Sequence, residues 1–551
     1  MINLLTLYFG YLIILFSIIG FGYLSSKLLS IRLSLGELGL SGILFMTILS
    51  YITNLFLSHG FIHNSIFLVI GLFASFFLFK KKLFRKKTKI ILLVSSVLFI
   101  GILMYKTHDD FFYYHFPYTI SLIEFKKIFG LGNLEHGFRT PSSIFYFNSL
   151  LYLPILEKSL INSGAIYFLV FSNIFFIQKI FNQIKNEKLD FILILTLLSL
   201  LFINTIFYRL AEHGTDRSAL ILIFILAIYY LEGTNKTFSK TNFKHYYHKI
   251  LVIILLIVSL KSFYLIYTVF IFILFFEFRK ILFKESYYRK IFFERVSYYF
   301  LIGISIFLFT IFSNTGCLIY PASFTCVESF TWSIPKKEVI EMKTWYELWS
   351  KAGASPTYRV DDVEFYLSGL NWFPNWVQNH FFNKISDFIL SLLLIVIISS
   401  IFLIKFQKIK LRKKNFYLFY TVLLILLLEW FLNHPALRYG GYHLIALLFF
   451  IPFSIYLSHK TFNHNKMSKK IFLVIILIFS IFVVRNIQRI SKEHQAYDYN
   501  LFIHPSFDKK FENYSIYSGI IDAKGCNINN CNKEGIASKK FMNKFIFIIN
   551  Q

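Results

Sequence analysis

Long apolar runs separated by short polar connections decide what this chain can fold into. About fourteen such runs are present, near residues 3–25, 40–58, 65–79, 90–105, 164–182, 189–208, 217–232, 249–262, 263–278, 297–313, 386–404, 416–433, 441–457 and 471–485. A helix needs ~20 mostly apolar residues to cross a bilayer, where every backbone polar group must be satisfied internally. Hydrophobic residues make up 56% of the chain and charged residues 16%, which excludes an ordinary soluble enzyme. The sequence therefore predicts an all-α polytopic membrane protein with about 12–14 transmembrane helices in a lipid bilayer.

Lysine and arginine are concentrated in alternate connections between the predicted spans. These basic connections are residues 80–89, 233–249, 279–296, 405–415 and 459–470. Because cytoplasmic loops are enriched in Lys and Arg, all five are predicted to lie on the cytoplasmic side. The net charge of +28 is then a topology signal and does not indicate nucleic-acid binding. The first run has no basic N-terminal region or cleavage site, so we interpret it as a retained span that starts outside.

The long polar segments fall on the opposite, extracytoplasmic side of this topology. They are the first loop (residues 106–163), the second loop (residues 314–385) and the segment 486–551. We therefore predict a bacterial inner-membrane protein with both termini extracytoplasmic. Its domains would be a transmembrane bundle over residues 1–485 and a small C-terminal extracytoplasmic segment over residues 486–551.

All four cysteines lie in these predicted outer segments. An oxidising compartment favours disulfides, and the cysteines form two pairs that are close in sequence. We predict the bonds Cys317–Cys326 and Cys526–Cys531, with four unpaired thiols as the alternative.

All six tryptophans lie on the outer side as well, five of them in the second loop and Trp430 at the outer end of a span. An interfacial belt of tryptophan is common in membrane proteins, but a belt should occupy both faces. A one-sided set is also typical of a surface that binds sugar or lipid. The sequence favours neither interpretation over the other.

Ionisable residues in or beside the spans are functional candidates, because a charge at mid-bilayer costs roughly 2.5–3.5 kcal/mol. Lys261, Glu429, Arg438 and His443 all lie at predicted outer-leaflet depth, and the inner half of the bundle is expected to be free of charge. An ion-coupled transporter usually needs polar groups near the midplane. This distribution favours a membrane enzyme that acts on a lipid headgroup at one interface.

The segment THDDFFYYHFPY (107–118) follows the fourth predicted span and is dense in groups that carry chemistry. Asp109 and Asp110 are adjacent, so their mutual repulsion can raise one pKa and suit that carboxyl to proton abstraction. With His108 and His115 they could instead bind a divalent cation, His108 and Asp110 being the first candidates. The alternative is a solvated helix end without function.

Two further polar segments are predicted on the same face. The segment 135–154 starts polar and continues as a short apolar stretch, which predicts an interfacial helix lying on the outer surface. Arg139 at its start could bind a phosphate or carboxylate, or simply pair with Glu135. The turn AEHGTDR (211–217) adds Glu212, His213 and Asp216.

These pieces together resemble the GT-C superfamily of membrane glycosyltransferases. The resembling motifs are HDD (108–110), RTPSSIFYFNSLLYLP (139–154), the lysine of SLKS (259–262) and PALRYG (435–440). The chain is also similar to a group of bacterial membrane proteins related to that superfamily, in GTD (214–216), GCLIYP…TC (316–326) and the pair Arg485–Asn486.

The resemblance implies a GT-C-like helix arrangement and the transfer of a sugar from a polyprenyl-phosphate carrier to an acceptor, in cell-surface glycan assembly. Asp109 or Asp110 would be the base or a metal ligand. Lys261 or Arg438 would contact the carrier phosphate, with Arg139, Tyr439 and Asp216 as further substrate-binding candidates. No Gly-rich phosphate loop is present, as expected for a lipid-borne donor.

Three other functions remain open at this point. The first is a flippase for lipid-linked saccharides, which would need a cavity that reaches the inner leaflet. The second is a polysaccharide polymerase or ligase, which would depend on arginines in the outer loops, here Arg139, Arg359 and Arg438. The third is a non-catalytic membrane protein in which the Asp-Asp pair is incidental.

Overall fold

The computed structural model describes residues 3–85, 87–186, 190–210, 215–235, 239–283, 287–354, 360–403, 416–458, 464–507, 532–533, 536–541 and 544–549. The helices up to residue 260 are α1 (Leu4–Leu28), α2 (Leu35–Asn54), α3 (Phe61–Phe79), α4 (Lys82–Arg85), α5 (Thr88–Leu98), α6 (Phe116–Glu124), α7 (Ser143–Ser149), α8 (Gly164–Lys185), α9 (Phe191–Ile206), α10 (Thr215–Asn235) and α11 (Lys240–Leu260). Those that follow are α12 (Val269–Glu277), α13 (Arg279–Phe283), α14 (Tyr287–Phe292), α15 (Arg295–Thr315), α16 (Lys336–Lys351), α17 (Val363–Leu367), α18 (Phe373–Trp376), α19 (Ser386–Leu403), α20 (Tyr417–Asn433), α21 (Gly441–Ser458) and α22 (His464–Tyr497).

Ten helices of the described chain are long and apolar enough to cross a membrane. They are Leu4–Leu28, Leu35–Asn54, Phe61–Phe79, Gly164–Lys185, Thr215–Asn235, Lys240–Leu260, Arg295–Thr315, Phe373–Ile401, Gly441–Ser458 and Ser468–Tyr497. The span Phe373–Ile401 contains α18 and most of α19, which a π-helix over Val377–Ile385 connects. Shorter apolar helices occupy the other predicted spans, namely Thr88–Gly101, Phe191–Ile206, Ser262–Glu277 and Tyr417–Asn433. The prediction of a helical, multi-pass membrane protein is confirmed at this level.

Close helix contacts in the first part of the bundle depend on glycine. A Cβ added to Gly42 of α2 would lie 2.0 Å from the carbonyl oxygen of Ile18 in α1, and one added to Gly20 would lie 1.8 Å from the carbonyl oxygen of Gly71 in α3. Small residues let backbones approach in this way when lipid supplies no hydrophobic force between helices. The α1–α2–α3 unit is therefore packed as membrane helices are.

Contacts with the end of α1 place two of the basic connections, residues 80–89 and 279–296, at one end of the bundle, which we call the basic end. Lys81 lies over the ring of Tyr23, with Nζ 5.1 Å from the centroid, near the end of α1. Arg295 donates to the carbonyl oxygen of Leu28 at 3.3 Å. The opposite end, where residues 106–163 and 314–385 lie, is called the cavity end.

Two ion pairs inside the bundle correct the prediction that its inner half carries no charge. Lys249 Nζ lies 2.6 Å from Glu37 Oε1, which also accepts a 2.5 Å hydrogen bond from Tyr229. A second pair joins Lys179 and Glu232. For Glu37 and Lys249 the prediction is wrong because α2 and α11 begin several residues before their apolar runs, so both residues lie within helices. Lys179 and Glu232 lie near the ends of the predicted runs 164–182 and 217–232, and in each pair the opposite charges neutralise one another.

The predicted interfacial helix of the first loop is also placed differently. Helix α7 has all seven of its residues buried, and it packs against α2 and α6 within the bundle. Its Tyr146 ring lies 4.0 Å from the ring of Tyr51, and Ser143 accepts a hydrogen bond from Ser259. The helix does not lie on the surface because protein covers every face, including its serines and Asn148.

The C-terminal part of the chain is tied to the bundle. Helix α22 continues through the predicted boundary at residue 485 to Tyr497. Three short strands, β1 (Asn532–Lys533), β2 (Ile536–Phe541) and β3 (Lys544–Ile549), form an antiparallel sheet in that order. Strand β3 pairs with the first loop, where Phe129 N donates to the carbonyl oxygen of Phe545 at 3.1 Å.

Candidate functional site

A cavity of about 1250 Å³ opens at the cavity end of the bundle. Its walls come from the first loop, the start of α10, the end of α11, the second loop and the connection between α20 and α21. The charged and imidazole side chains that line it are His108, Asp109, Asp110, His115, His136, Asp216, Arg217, Lys261, Lys343, His380, Lys384, His434 and Arg438. Five cationic side chains thus face three carboxylates, which favours an anionic ligand.

Ion pairs connect four of these residues into one chain. Lys261 Nζ lies 2.9 Å from Asp216 Oδ1, and Arg438 Nε lies 3.9 Å from Asp216 Oδ2. The Nη1 of Arg438 lies 3.6 Å from Asp110 Oδ2. Residues from four distant segments of sequence therefore meet in one cluster, as the candidate site requires.

Local backbone geometry explains how each member reaches the cavity. Asp216 lies in the first turn of α10, whose helix dipole favours a negative charge there. Lys261 ends α11 in an extended conformation, with φ −165° and ψ 137°, before a 3₁₀ segment begins at Ser262. Arg438 lies in the 3₁₀ turn Leu437–Tyr439 between α20 and α21. All three residues lie at or between the ends of helices, where the chain turns at the rim of the bundle.

Aromatic rings hold the two cations in place. The guanidinium of Arg438 lies 4.7 Å from the ring centroid of Trp349 and 5.2 Å from that of Tyr439, while Lys261 lies 5.0 Å from Tyr439. Such contacts are worth roughly 0.5–2 kcal/mol each. Burial would lower the pKa of the Arg438 guanidinium, but Tyr439 and the Asp216 carboxylate raise it, so the side chain stays charged.

The two adjacent aspartates have different environments. Asp110 approaches Arg438, and its backbone N–H donates to His108 Nδ1 at 3.1 Å. Asp109 is exposed to the cavity and makes no ion pair within the described residues. The segment that leads to them is fixed by α22, because Glu493 accepts a 2.7 Å hydrogen bond from the backbone N–H of Tyr105.

The donor set for a metal ion is smaller than the sequence suggested. His108 Nδ1 lies 3.3 Å from Asp110 Oδ2, but among the described residues no group of three or more His, Cys, Asp or Glu side chains could hold a metal. His115 lines the cavity and is largely buried, and this burial lowers its pKa to about 3, so the imidazole is neutral at pH 7. Burial likewise lowers the pKa of His434 to about 4.

The sequence did not predict a second polar cluster that lies on the cavity wall. Tyr113 donates a 2.5 Å hydrogen bond to Glu135 Oε1, which lies 2.7 Å from Nδ1 of His136. His136 lines the cavity and its ring lies 5.8 Å from that of Trp345. Its signal in the sequence is the adjacent Glu-His pair in EHGFR at the start of the segment 135–154. Lys343 and Lys384 were missed as well, because nothing in the sequence connects them to the first loop.

Arg139 does not line the cavity. Its guanidinium pairs with Glu338 of α16, and its Nε donates to the carbonyl oxygen of Gly132 at 2.9 Å. It also donates to the hydroxyl of Tyr320 at 3.4 Å. Arg139 therefore braces the first loop against the second, and in the described part of the chain its acidic partner is Glu338 and not Glu135.

Other predicted residues are distributed as follows. Cys317 and Cys326 form the predicted disulfide, and the segment between them makes one wall of the cavity. Glu429 pairs with Asn433 outside the cavity, and His443 is buried against Tyr267. Those that lie outside the described residues are Glu212, His213, Arg359, Cys526 and Cys531.

Five of the six tryptophans divide into two sets, and the sixth, Trp332, donates its indole N–H to the carbonyl oxygen of Phe312 in α15 at 3.3 Å, so neither interpretation covers all six. Trp345 and Trp349 line the cavity. Trp372, Trp376 and Trp430 are buried, and each donates its indole N–H to a backbone carbonyl oxygen of the same end of the bundle. Trp376 of the second set joins the second loop to Pro435 in the connection between α20 and α21, while Trp345 and Trp349 are available to a ligand.

Residues 4–445 match a family model described as Domain of unknown function (DUF8201). The chain belongs to the DUF8201 family. Every segment that lines the cavity, from His108 to Tyr442, lies inside the DUF8201 match, whereas the C-terminal sheet lies outside it. No curated protein and no solved structure matches the chain.

Proposed function

We propose that this chain is a membrane glycosyltransferase that moves a sugar from a polyprenyl-phosphate carrier to an acceptor hydroxyl at the extracytoplasmic face, with a role in cell-surface glycan assembly. One observation carries the proposal. Asp110, Asp216, Lys261 and Arg438, which are far apart in sequence, form one cluster of ion pairs on a cavity that Asp109 also lines. Proximity of this kind is what makes separate groups a site.

In the proposed reaction Asp109 is the general base. It accepts the proton of the acceptor hydroxyl, the hydroxyl oxygen forms a bond to the anomeric carbon, and the bond from that carbon to the carrier phosphate oxygen breaks. The phosphate leaves with the electron pair, and an in-line attack inverts the anomeric configuration. Asp109 suits this role better than Asp110, because the Asp110 carboxylate already faces the guanidinium of Arg438.

Arg438 and Lys261 bind the departing phosphate in this scheme and stabilise its developing charge. The Arg438 side chain is 34% exposed and lines the cavity, so N–H groups of its guanidinium can reach a phosphate. Asp216 and Asp110 orient the two cations through the ion pairs described above. Trp345 and Trp349 offer aromatic surface to the sugar ring.

The extent of the cavity supports transfer over flipping. A flippase must carry a headgroup between leaflets, so its polar path must reach both ends of the bundle. All the residues that line this cavity belong to the cavity end, and the buried ion pair Glu37–Lys249 at the basic end lines a different, much smaller space of about 10 Å³. A cavity open at one end is what an enzyme acting on a lipid headgroup needs.

The test uses purified full-length protein in vesicles that contain a polyprenyl-phosphate sugar with a labelled sugar moiety, together with membrane extract as acceptor source. Wild-type protein should release the sugar from the carrier into an acceptor fraction. Asp109→Asn should reduce transfer by roughly 10²–10⁴ while leaving carrier binding unchanged. Lys261→Ala should mainly weaken carrier binding, and Lys337→Ala, an exposed lysine of α16, is the matched control.

Two results would overturn the proposal. One is that carriers with a range of sugars give no transfer and no saturable binding to wild-type protein. The other is that Asp109→Asn and Asp110→Asn both transfer at the wild-type rate.

A further inference from the structure

The disulfide-closed hairpin between Cys317 and Cys326 carries an apolar outer surface that nothing in the described chain covers. Phe324 at its tip is 88% exposed, and Leu318 and Val327 on either side are 46% and 42% exposed. Phe330, just beyond the hairpin, is 39% exposed. In an aqueous loop, four neighbouring apolar side chains in contact with water would be costly.

The hairpin is continuous in sequence and in space with a membrane span. It begins two residues after α15 ends at Thr315, and no charged residue occurs between Arg295 and Glu328. The ring of Phe330 lies 5.3 Å from that of Phe312 in the last turns of α15. The apolar surface of the hairpin thus extends the exposed apolar face of that helix, which includes Leu301 and Phe309.

Much of the backbone of the hairpin is hydrogen-bonded within the hairpin, which favours entry into a lipid interface. Leu318 N donates to the carbonyl oxygen of Thr325 at 3.2 Å, and Cys326 N donates to that of Ser323 at 3.2 Å. The side chain of Thr325 accepts from the N–H of Ile319 and donates to its carbonyl oxygen. Pro321 has no N–H group to satisfy. Because these hydrogen bonds and the disulfide lie inside the hairpin, its outer surface consists mainly of side chains.

The inner side of the same hairpin forms part of the cavity wall. Ile319, Tyr320 and Pro321 line the cavity, and Ser262 Oγ donates to the carbonyl oxygen of Tyr320 at 3.2 Å. The exposed Phe324 also borders the cavity, so it belongs to both surfaces of the hairpin. Phe263 on the segment leading into the apolar helix α12 lines the cavity beside it. The hairpin is therefore both the rim of the cavity and the continuation of a lipid-facing helix.

We propose that the hairpin 317–326 inserts into the lipid bilayer through Leu318, Phe324 and Val327, so that the cavity opens at the level of the membrane interface and takes its ligand laterally from the lipid. The partner of this surface is the acyl-chain region of the bilayer. The proposal concerns the hairpin surface and does not depend on whether the cavity transfers sugars.

The experiment places the photoreactive amino acid p-benzoylphenylalanine at single positions of the full chain, reconstituted in vesicles of phosphatidylethanolamine and phosphatidylglycerol. Positions 324 and 318 probe the hairpin. Position 309 on α15 is the lipid-exposed reference, and position 341, an exposed glutamate of α16, is the matched position outside the apolar surface. After illumination, mass spectrometry identifies phospholipid adducts.

Insertion predicts phospholipid adducts at positions 324 and 318 in yields comparable to that at position 309, and at least tenfold above that at position 341. Adduct formation at 309 with none at either hairpin position would overturn the proposal, as would hairpin adducts to protein in place of lipid. Two hairpin positions are used so that a local folding defect at one of them does not decide the outcome, and the Cys317–Cys326 bond, checked in the same spectra, reports that the hairpin is intact.

Discussion

Lys261 and Asp216 lie 45 residues apart in sequence, and their charged groups meet at 2.9 Å on the wall of the cavity. The pair is largely removed from solvent, with 20% of the lysine side chain and 12% of the aspartate side chain exposed. Arg438 approaches the same carboxylate from a third segment at 3.9 Å. Asp216 of α10 thus forms ion pairs with both the end of α11 and the turn before α21.

Replacing Asp216 by Asn should destabilise the protein, because it leaves two cations close together without their shared counter-charge. We expect a loss of roughly 1–3 kcal/mol, measured as a lower melting temperature in detergent. Asp361→Asn, at an exposed aspartate of the second loop, should leave the melting temperature unchanged. If both variants melt like the wild-type protein, Asp216 does not join the three segments as the structure indicates.

The disulfide of the cavity rim gives a second prediction. Mass spectrometry of the unreduced protein should find peptides joined through Cys317 and Cys326, and the bond Cys526–Cys531 remains predicted from the sequence. Replacing Cys317 and Cys326 together by Ser should lower the stability of the native state by about 2–3 kcal/mol, since the closed loop is short. Free thiols at both positions in an oxidising preparation would contradict the prediction.

The orientation of the bundle gives a third prediction, based on the alternating basic connections. Single cysteines introduced at positions 126 and 336, both exposed at the cavity end, should react with a membrane-impermeant maleimide added to intact cells. A cysteine at position 85, at the basic end, should react only after permeabilisation. Labelling of position 336 only after permeabilisation would reverse the topology and place the candidate site on the cytoplasmic face.

A buried lysine outside the spans gives a fourth prediction. Lys127 is 5% exposed, and it donates to Asn314 Oδ1 at 2.8 Å and to the hydroxyl of Tyr146 at 3.3 Å. Burial, assisted by the charge of Lys544, lowers its pKa from 10.5 to about 7. Between pH 7 and pH 10.5 the unfolded chain then binds a proton that the folded chain has released, so stability should rise with pH across that range.

The measurement is the melting temperature in detergent as a function of pH. Lys127→Met should remove the rise assigned to this residue, while Lys126→Met, at the exposed neighbouring lysine, should keep it. A melting temperature of Lys127→Met that rises between pH 7 and pH 10 as steeply as that of the wild-type protein would show that Lys127 titrates near its ordinary pKa.

The features that could be predicted from the sequence are those that depend only on the composition of a short stretch of chain. The apolar runs near residues 3–25 and 164–182 coincide with α1 and α8 because lipid demands a continuous apolar stretch. Asp109 and Lys261 were identified because a charge beside such a stretch is costly and therefore conspicuous. Identifying these two residues does not require knowing which helices are neighbours.

The features that could not be predicted depend on which helices are neighbours. Glu37 lies between two predicted apolar runs, and its place inside the bundle depends on Lys249 of α11, which lies opposite it. Arg139 looked like a phosphate ligand, but Glu338, which lies 199 residues further along the chain, takes that place. Each partner comes from a distant segment, and composition alone does not pair distant segments.

The contact between the first loop and strand β3 has a consequence for how the protein is made. The side-chain amide of Asn133 donates to the carbonyl oxygen of Phe547, 414 residues away. Gly130 beside it has φ +68°, and a Cβ there would lie 2.2 Å from the same carbonyl oxygen. The first loop is synthesised early but cannot gain these partners until more than four hundred further residues, including most of the bundle, have left the ribosome. During biogenesis the loop that carries Asp109 must therefore persist without this support until synthesis is nearly complete.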